Sequence, residues 1–98
     1  MSQNKIALVT GGSRGLGKEM AFRIAEKGLD VLITYNSKKD EAEFVVAEIE
    51  KTGQKASALQ LDVSDSKNFD KFFNELKTVL KGKFGTEKFD YLVNNAGI

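Results

Sequence analysis

At 98 residues the chain is the size of one small domain, which excludes a two-domain enzyme. Apolar residues make up 41% and charged residues 30%, the balance of a soluble globule rather than of a disordered or membrane-embedded chain. The 15 Lys and Arg stand against 14 Asp and Glu, so the net charge of +1 supplies no general field for nucleic acid or an anionic membrane, and neither partner is expected. Cys and His are both absent, which removes disulfides, Cys/His zinc sites, thiol nucleophiles and every His-based triad; no metal site is expected.

The polar start, residues 1–5, leads into the apolar run Ile6 to Val9, far shorter than a signal-peptide core or a membrane span, so a cytoplasmic protein is expected. Four short β-rich runs alternate with stretches of helical spacing, the pattern of βαβ units and a parallel sheet. Ile6 to Thr10 is the first predicted strand. A helix follows with Leu16, Met20, Ala21, Ile24 and Ala25 on one face, and Gly28 stops it. Val31 to Tyr35 is the second strand. The second helix places Ala42, Val45, Val46 and Ile49 on one stripe, has Asp40 and Glu41 in its first turn, and ends at Gly53. The third strand, Ala56 to Leu61, alternates more than the others and is assigned to an edge. The third helix carries Phe69, Phe72, Phe73, Leu76, Val79 and Leu80 as a core stripe, with Ser64 or Asp65 as N-cap and Gly82 as the stop. Lys81 to Asp90 is a basic surface excursion, and Tyr91 to Val93 is the fourth strand. The first, second and fourth strands are nearly continuous in apolar residues, as strands covered on both faces should be. Right-handed crossovers give the strand order 3-2-1-4, with a switch point between strands one and four where ligands bind beyond the carboxyl ends.

Those ends hold the chemistry. Thr10-Gly11-Gly12-Ser13-Arg14-Gly15-Leu16-Gly17 follows the first strand and opens the first helix, the setting a phosphate-binding loop requires. Glycine removes the Cβ that would hold a diphosphate away from the backbone, and the helix N-terminus offers unpaired N–H groups with a partial positive charge. Gly12 to Lys18 also matches the first part of a P-loop, but Glu19 stands where a Ser or Thr hydroxyl should meet Mg²⁺, which makes ATP or GTP hydrolysis the minor reading.

With Asn94-Asn95-Ala96-Gly97 after the fourth strand and Leu61-Asp62-Val63 ending the third, the pattern T-G-x-x-x-G-x-G at residues 10–17 resembles the short-chain dehydrogenase/reductase family, in its 3-oxoacyl-acyl-carrier-protein reductase-like branch. The resemblance covers the whole chain and implies an α/β fold, a Rossmann-type doubly wound parallel sheet, here incomplete. It implies diphosphate binding at Gly11, Ser13, Arg14, Gly15, Leu16 and Gly17, an adenine border at Asp62 and Val63, and ribose and nicotinamide contacts at Asn94, Ala96 and Gly97. An acid at the end of the second strand would mark NAD, and none is there: Tyr35-Asn36-Ser37-Lys38 offers neutral donors and a cation, and Arg14 is expected to project towards the same ribose. Asn36, Ser37 and Lys38 therefore join the cofactor site, and NADP(H) is expected over NAD(H).

The resemblance further implies an oxidoreductase that reduces a carbonyl, of 3-oxoacyl-thioester type, to a hydroxyl, and that forms homo-oligomers at full length. The family's catalytic Ser and its Tyr-x-x-x-Lys pair lie beyond the Asn-Ala-Gly segment, so no catalytic residue is assigned and the chain alone is expected to be inactive. Tyr35 and Lys39 match that spacing formally, but Tyr35 ends a strand and the helical alignment is absent. Residues 1–98 thus read as a dinucleotide-binding half whose catalytic half lies outside the chain, with an unpaired fourth strand and helix stripes short of partners. A stand-alone dinucleotide-binding module without turnover is the alternative of a different class.

Overall fold

The computed structural model describes residues 5–12, 15–61, 68–86 and 88–94. Strand β1 (Ile6–Thr10) is followed by α1 (Gly15–Glu26), β2 (Asp30–Tyr35), α2 (Lys39–Glu50), β3 (Ala56–Gln60), α3 (Asn68–Val79), a π-helical turn (Leu80–Phe84) and β4 (Tyr91–Asn94). The strands form one sheet in the order β3-β2-β1-β4, with all three pairings parallel. This is the Rossmann-type order expected from the alternation, and it puts β3 at an edge.

Two apolar layers sandwich the sheet, because successive side chains of a strand point to opposite faces. Val9, Val31, Ile33 and Ala56 meet Ala21 and Ala25 of α1 and Ala42, Val45 and Ile49 of α2 on one face. Ile6, Leu8, Leu32 and Leu59 meet Phe72 and Leu76 of α3, then Leu80 and Phe84, on the other. All of β1 and the first five residues of β2 are buried, which is why their sequences are apolar at nearly every position. Helix α1 comes to the sheet on small residues, Gly17, Ala21 and Ala25. Below the strands, Asp30 is buried, and its carboxylate accepts the Lys55 N–H at 2.9 Å and Gln54 Nε2 at 3.2 Å. The Asp90 carboxylate accepts the Ile6 N–H at 2.8 Å, so the start of β1 is fixed to the approach to β4.

Several expectations are corrected. Gly82 does not stop the third helix; the chain continues through it, and the left-handed residue that ends the helical segment is Gly85, with φ 73° and its N–H donating to the Leu80 carbonyl. The cause lies in the spacing Phe72, Leu76, Leu80, Phe84. A four-residue repeat overshoots the 3.6-residue α turn, so the stripe drifts around the axis by about 40° per step. The wider π turn offsets that drift and returns Phe84 to the core. The described residues of the segment 81–90 are accordingly not a free surface excursion: Phe84 is buried, Phe89 packs on the same cluster, and Lys83 pairs with Glu50 of α2 at 3.0 Å.

Phe69 and Phe73 are exposed rather than core, Phe73 making an edge contact with Phe72 at 5.6 Å between centroids. Leu16 is exposed as well, because it sits one position before the Gly17–Ala21–Ala25 stripe that faces the sheet. Strand β4 is not covered on both faces: Tyr91 and Leu92 are exposed, and only Val93 packs against the α1 layer. Leu92 lies opposite Leu8 in the register, and among the described residues β4 is the last strand on its side of the sheet, with Leu92 outside the layer that covers Leu8. The expected N-caps Ser64 and Asp65 lie outside the described residues.

Phe84→Ala is expected to cost about 3–5 kcal/mol in urea unfolding, the loss of a buried aromatic side chain. Phe73→Ala should cost less than about 1.5 kcal/mol, the value of its ring contact with Phe72. Equal losses would show that the helical stripe is centred on residues 69–73 instead.

Candidate functional site

The central pair of strands determines what can lie at the carboxyl end of the sheet. Beyond Thr10 the chain turns at Gly11, whose φ is 69°, and runs to α1. Two bonds tie the turn to β2: the Gly11 N–H donates to Thr34 Oγ1 at 3.0 Å, and the Gly12 N–H donates to the Thr34 carbonyl at 3.1 Å. Thr10 Oγ1 donates to the Val93 carbonyl at 3.3 Å, tying the same segment to β4. The glycine turn is therefore held from both neighbouring strands.

The glycines serve different ends. A Cβ on Gly12 would lie 2.6 Å from Ile33 Cγ2 and 2.8 Å from Ile33 Cβ, so this glycine is required by close packing on β2. A Cβ on Gly15 would meet nothing within 4 Å, and its φ of 63° disfavours any side chain. Gly15 opens α1, Leu16 beside it is 70% exposed, and Gly17 is buried against the sheet. The 12-residue helix that Gly15 opens has its positive dipole end here, an electrostatic setting that favours an anion.

Asn36, Ser37 and Lys38 are exposed just past β2. The Asn36 carbonyl accepts Gln60 Nε2 at 2.9 Å, and the Lys38 carbonyl accepts the Ala42 N–H, the first bond of α2. Asn94 ends β4 directly opposite Thr10 in the parallel register. The fold thus gathers Gly11, Gly15, Leu16, Gly17, Asn36, Ser37, Lys38 and the Asn94 position at one end of the sheet. Ser13, Arg14, Asp62, Val63, Ala96 and Gly97 lie outside the described residues.

Lys18 bears on the P-loop alternative. Its Nζ lies 5.2 Å from the Phe44 ring centroid and 6.0 Å from that of Phe22. It stands over aromatic faces of α1 and α2, a stabilising place for an ammonium, rather than over the glycine turn where a P-loop lysine reaches phosphates. Tyr35 and Lys39 stand on different elements, the last residue of β2 and the first of α2, so their four-residue spacing is not a helical pair. Among the described residues no group of three or more Asp or Glu is placed to hold a metal ion, and no helix is long and apolar enough to cross a membrane. Thr34 and Ile33, the residues of β2 on which the glycine turn rests, belong to no motif in the sequence; the signal they carry there is a hydroxyl near the end of an apolar run.

Gly12→Ala is expected to destabilise the chain by about 1–3 kcal/mol through overpacking on Ile33. In a double-mutant cycle with Ile33→Ala the two losses should sum to more than the double variant shows, because the clash is shared. Strict additivity in thermal or urea unfolding would mean that Gly12 and Ile33 do not press on one another.

The family model for short chain dehydrogenases matches residues 5–98. The 3-oxoacyl-[acyl-carrier-protein] reductase FabG of Staphylococcus aureus is 42% identical over 101 aligned positions, covering 100% of this chain and 37% of the relative. A short chain dehydrogenase from Burkholderia cenocepacia, solved in complex with NADP, is 47% identical with a TM-score of 0.81, covering 98% of this chain and 37% of that one. LugOII, a reductase described as catalysing keto-reduction at C1 in lugdunomycin biosynthesis, superposes with a TM-score of 0.90 at 36% identity, over 98% of this chain and 39% of its own. The chain thus spans little more than a third of the length of the proteins it matches. With the glycine turn, the parallel order β3-β2-β1-β4 and these matches in agreement, the chain belongs to the short-chain dehydrogenase/reductase family.

Proposed function

We propose that residues 1–98 are the dinucleotide-binding half of an NADPH-dependent carbonyl reductase that acts on a 3-oxoacyl-thioester or a similar small ketone. The observation that carries this reading is the glycine turn, held on β1 by β2 and β4 and opening onto the exposed start of α1. In this reading Gly11, Ser13, Arg14, Gly15, Leu16 and Gly17 surround the diphosphate, Asp62 and Val63 border the adenine, and Asn94, Ala96 and Gly97 lie beside the ribose and nicotinamide. A bound reduced nicotinamide supplies hydride to a carbonyl carbon. The residues of this chain bind and orient that group; the proton donor and the substrate wall are assigned to residues beyond them. The working protein is a homo-oligomer of the cytoplasm.

The preference for NADPH rests on the end of β2. Asn36, Ser37 and Lys38 are exposed there and include no carboxylate, so a 2′-phosphate meets a cation and neutral donors where an Asp or Glu would instead select the free ribose hydroxyl. FabG, a reductase, and the NADP complex of the Burkholderia relative support the same choice.

Titration followed by nucleotide fluorescence should show saturable NADPH binding, tighter than NADH, with ATP a weak competitor. Asn36→Asp is expected to lower the NADPH-to-NADH affinity ratio by about tenfold or more, equivalent to ~1.4 kcal/mol of lost pairing and added repulsion. ATP displacing NADPH more effectively than NADP does would replace this reading by a nucleotide hydrolase.

A further inference from the structure

Thr34 is nearly fully buried, 2% exposed, in the penultimate position of β2. Its neighbours Val31, Leu32 and Ile33 are buried aliphatics, and a Val would fill the same volume in a strand of this kind. The hydroxyl is nevertheless used: Oγ1 accepts the Gly11 N–H at 3.0 Å while the main-chain carbonyl of the same residue accepts the Gly12 N–H at 3.1 Å. Two consecutive amides of the turn therefore end on one residue. Two residues later in the chain come Asn36, Ser37 and Lys38, exposed at the end of β2. Thr34 is thus the bolt between the turn that follows β1 and the segment that follows β2.

We infer that Thr34 is a positioning residue for dinucleotide binding, its hydroxyl holding the Gly11 turn at a fixed distance from residues 36–38. The inference rests on the dinucleotide reading above. Both segments must contact one ligand at once, the turn at the diphosphate and residues 36–38 at the ribose, so a turn free to shift would meet the ligand in the wrong register. The cost is paid in ordering before binding, as preorganisation. Ile33, immediately before Thr34, blocks the turn from moving inward, since Gly12 already sits against it with no room for a Cβ. Outward movement is opposed by the Thr34 hydroxyl and carbonyl.

The test compares the wild-type chain with Thr34→Val, which keeps the shape and removes the acceptor, and Thr34→Ser, which keeps the acceptor and removes the methyl. Amide hydrogen exchange read by NMR should be about tenfold faster at Gly11 in T34V than in wild type, with amides of β1 unchanged, and near wild type in T34S. NADPH and NADH should both bind about tenfold more weakly to T34V, with their ratio unchanged, and T34S should retain most of the affinity. Unchanged Gly11 exchange or unchanged NADPH affinity in T34V overturns the inference, as does an equal loss in T34S, which would assign the effect to packing. Wild-type protein that binds neither nucleotide overturns the dinucleotide reading and with it the positioning role, whereas failure confined to the T34V comparison overturns the role of Thr34 alone.

Discussion

Strand β1 is paired along both edges and covered on both faces. Its main chain is bonded to β2 and β4, and all five of its residues are buried, with Ile6 and Leu8 in the α3 layer and Val9 in the α1 and α2 layer. A strand in that position has no exposed face on which to carry a functional side chain. What it can offer is the direction in which the chain leaves it, and the chain leaves through glycines tied to Thr34 and stacked on Ile33. The location of the candidate site is in this sense a consequence of burying the central strand completely.

The two faces of the sheet solve the packing problem differently. Helix α1 approaches on Gly17, Ala21 and Ala25, residues that let a helix lie close to the strands. Close approach keeps the start of α1 beside the end of β1, where the helix dipole can act on an anion. The opposite face uses large side chains at four-residue spacing, Phe72, Leu76, Leu80 and Phe84, and a π turn keeps the last of them in register with the sheet. Precision is needed on the face that bears the site's helix, and bulk suffices on the other.

Family membership constrains the chemistry without specifying a substrate. The relatives match this chain over nearly all of its length, and the parts of their chains that extend beyond the match are nearly two thirds of their length. Lys18, the one residue that gives the turn a P-loop appearance, is held over the rings of Phe44 and Phe22 and braces α1 against α2. The same lysine reads as a phosphate ligand by spacing and as a helix brace by contact.

By itself the sequence determined the alternation of strands and helices, the strand order, the buried stripe of α2 and the place of the glycine turn. Each of these depends on short-range periodicity or on backbone freedom that particular residue types provide. Only the tertiary structure decided which face of each apolar element finds a partner. Phe69, Phe73, Leu16, Tyr91 and Leu92 are as apolar as their buried neighbours and remain exposed, because burial depends on how far an opposing layer extends. Gly82 and Gly85 are equivalent as letters, and the core position of Phe84 selects Gly85 as the stop. Thr34 reads as one more β-branched strand residue until β1 is laid beside β2, when its hydroxyl meets an amide 23 residues away in sequence. Contacts of that kind are set by the pairing of distant strands, which no local pattern encodes.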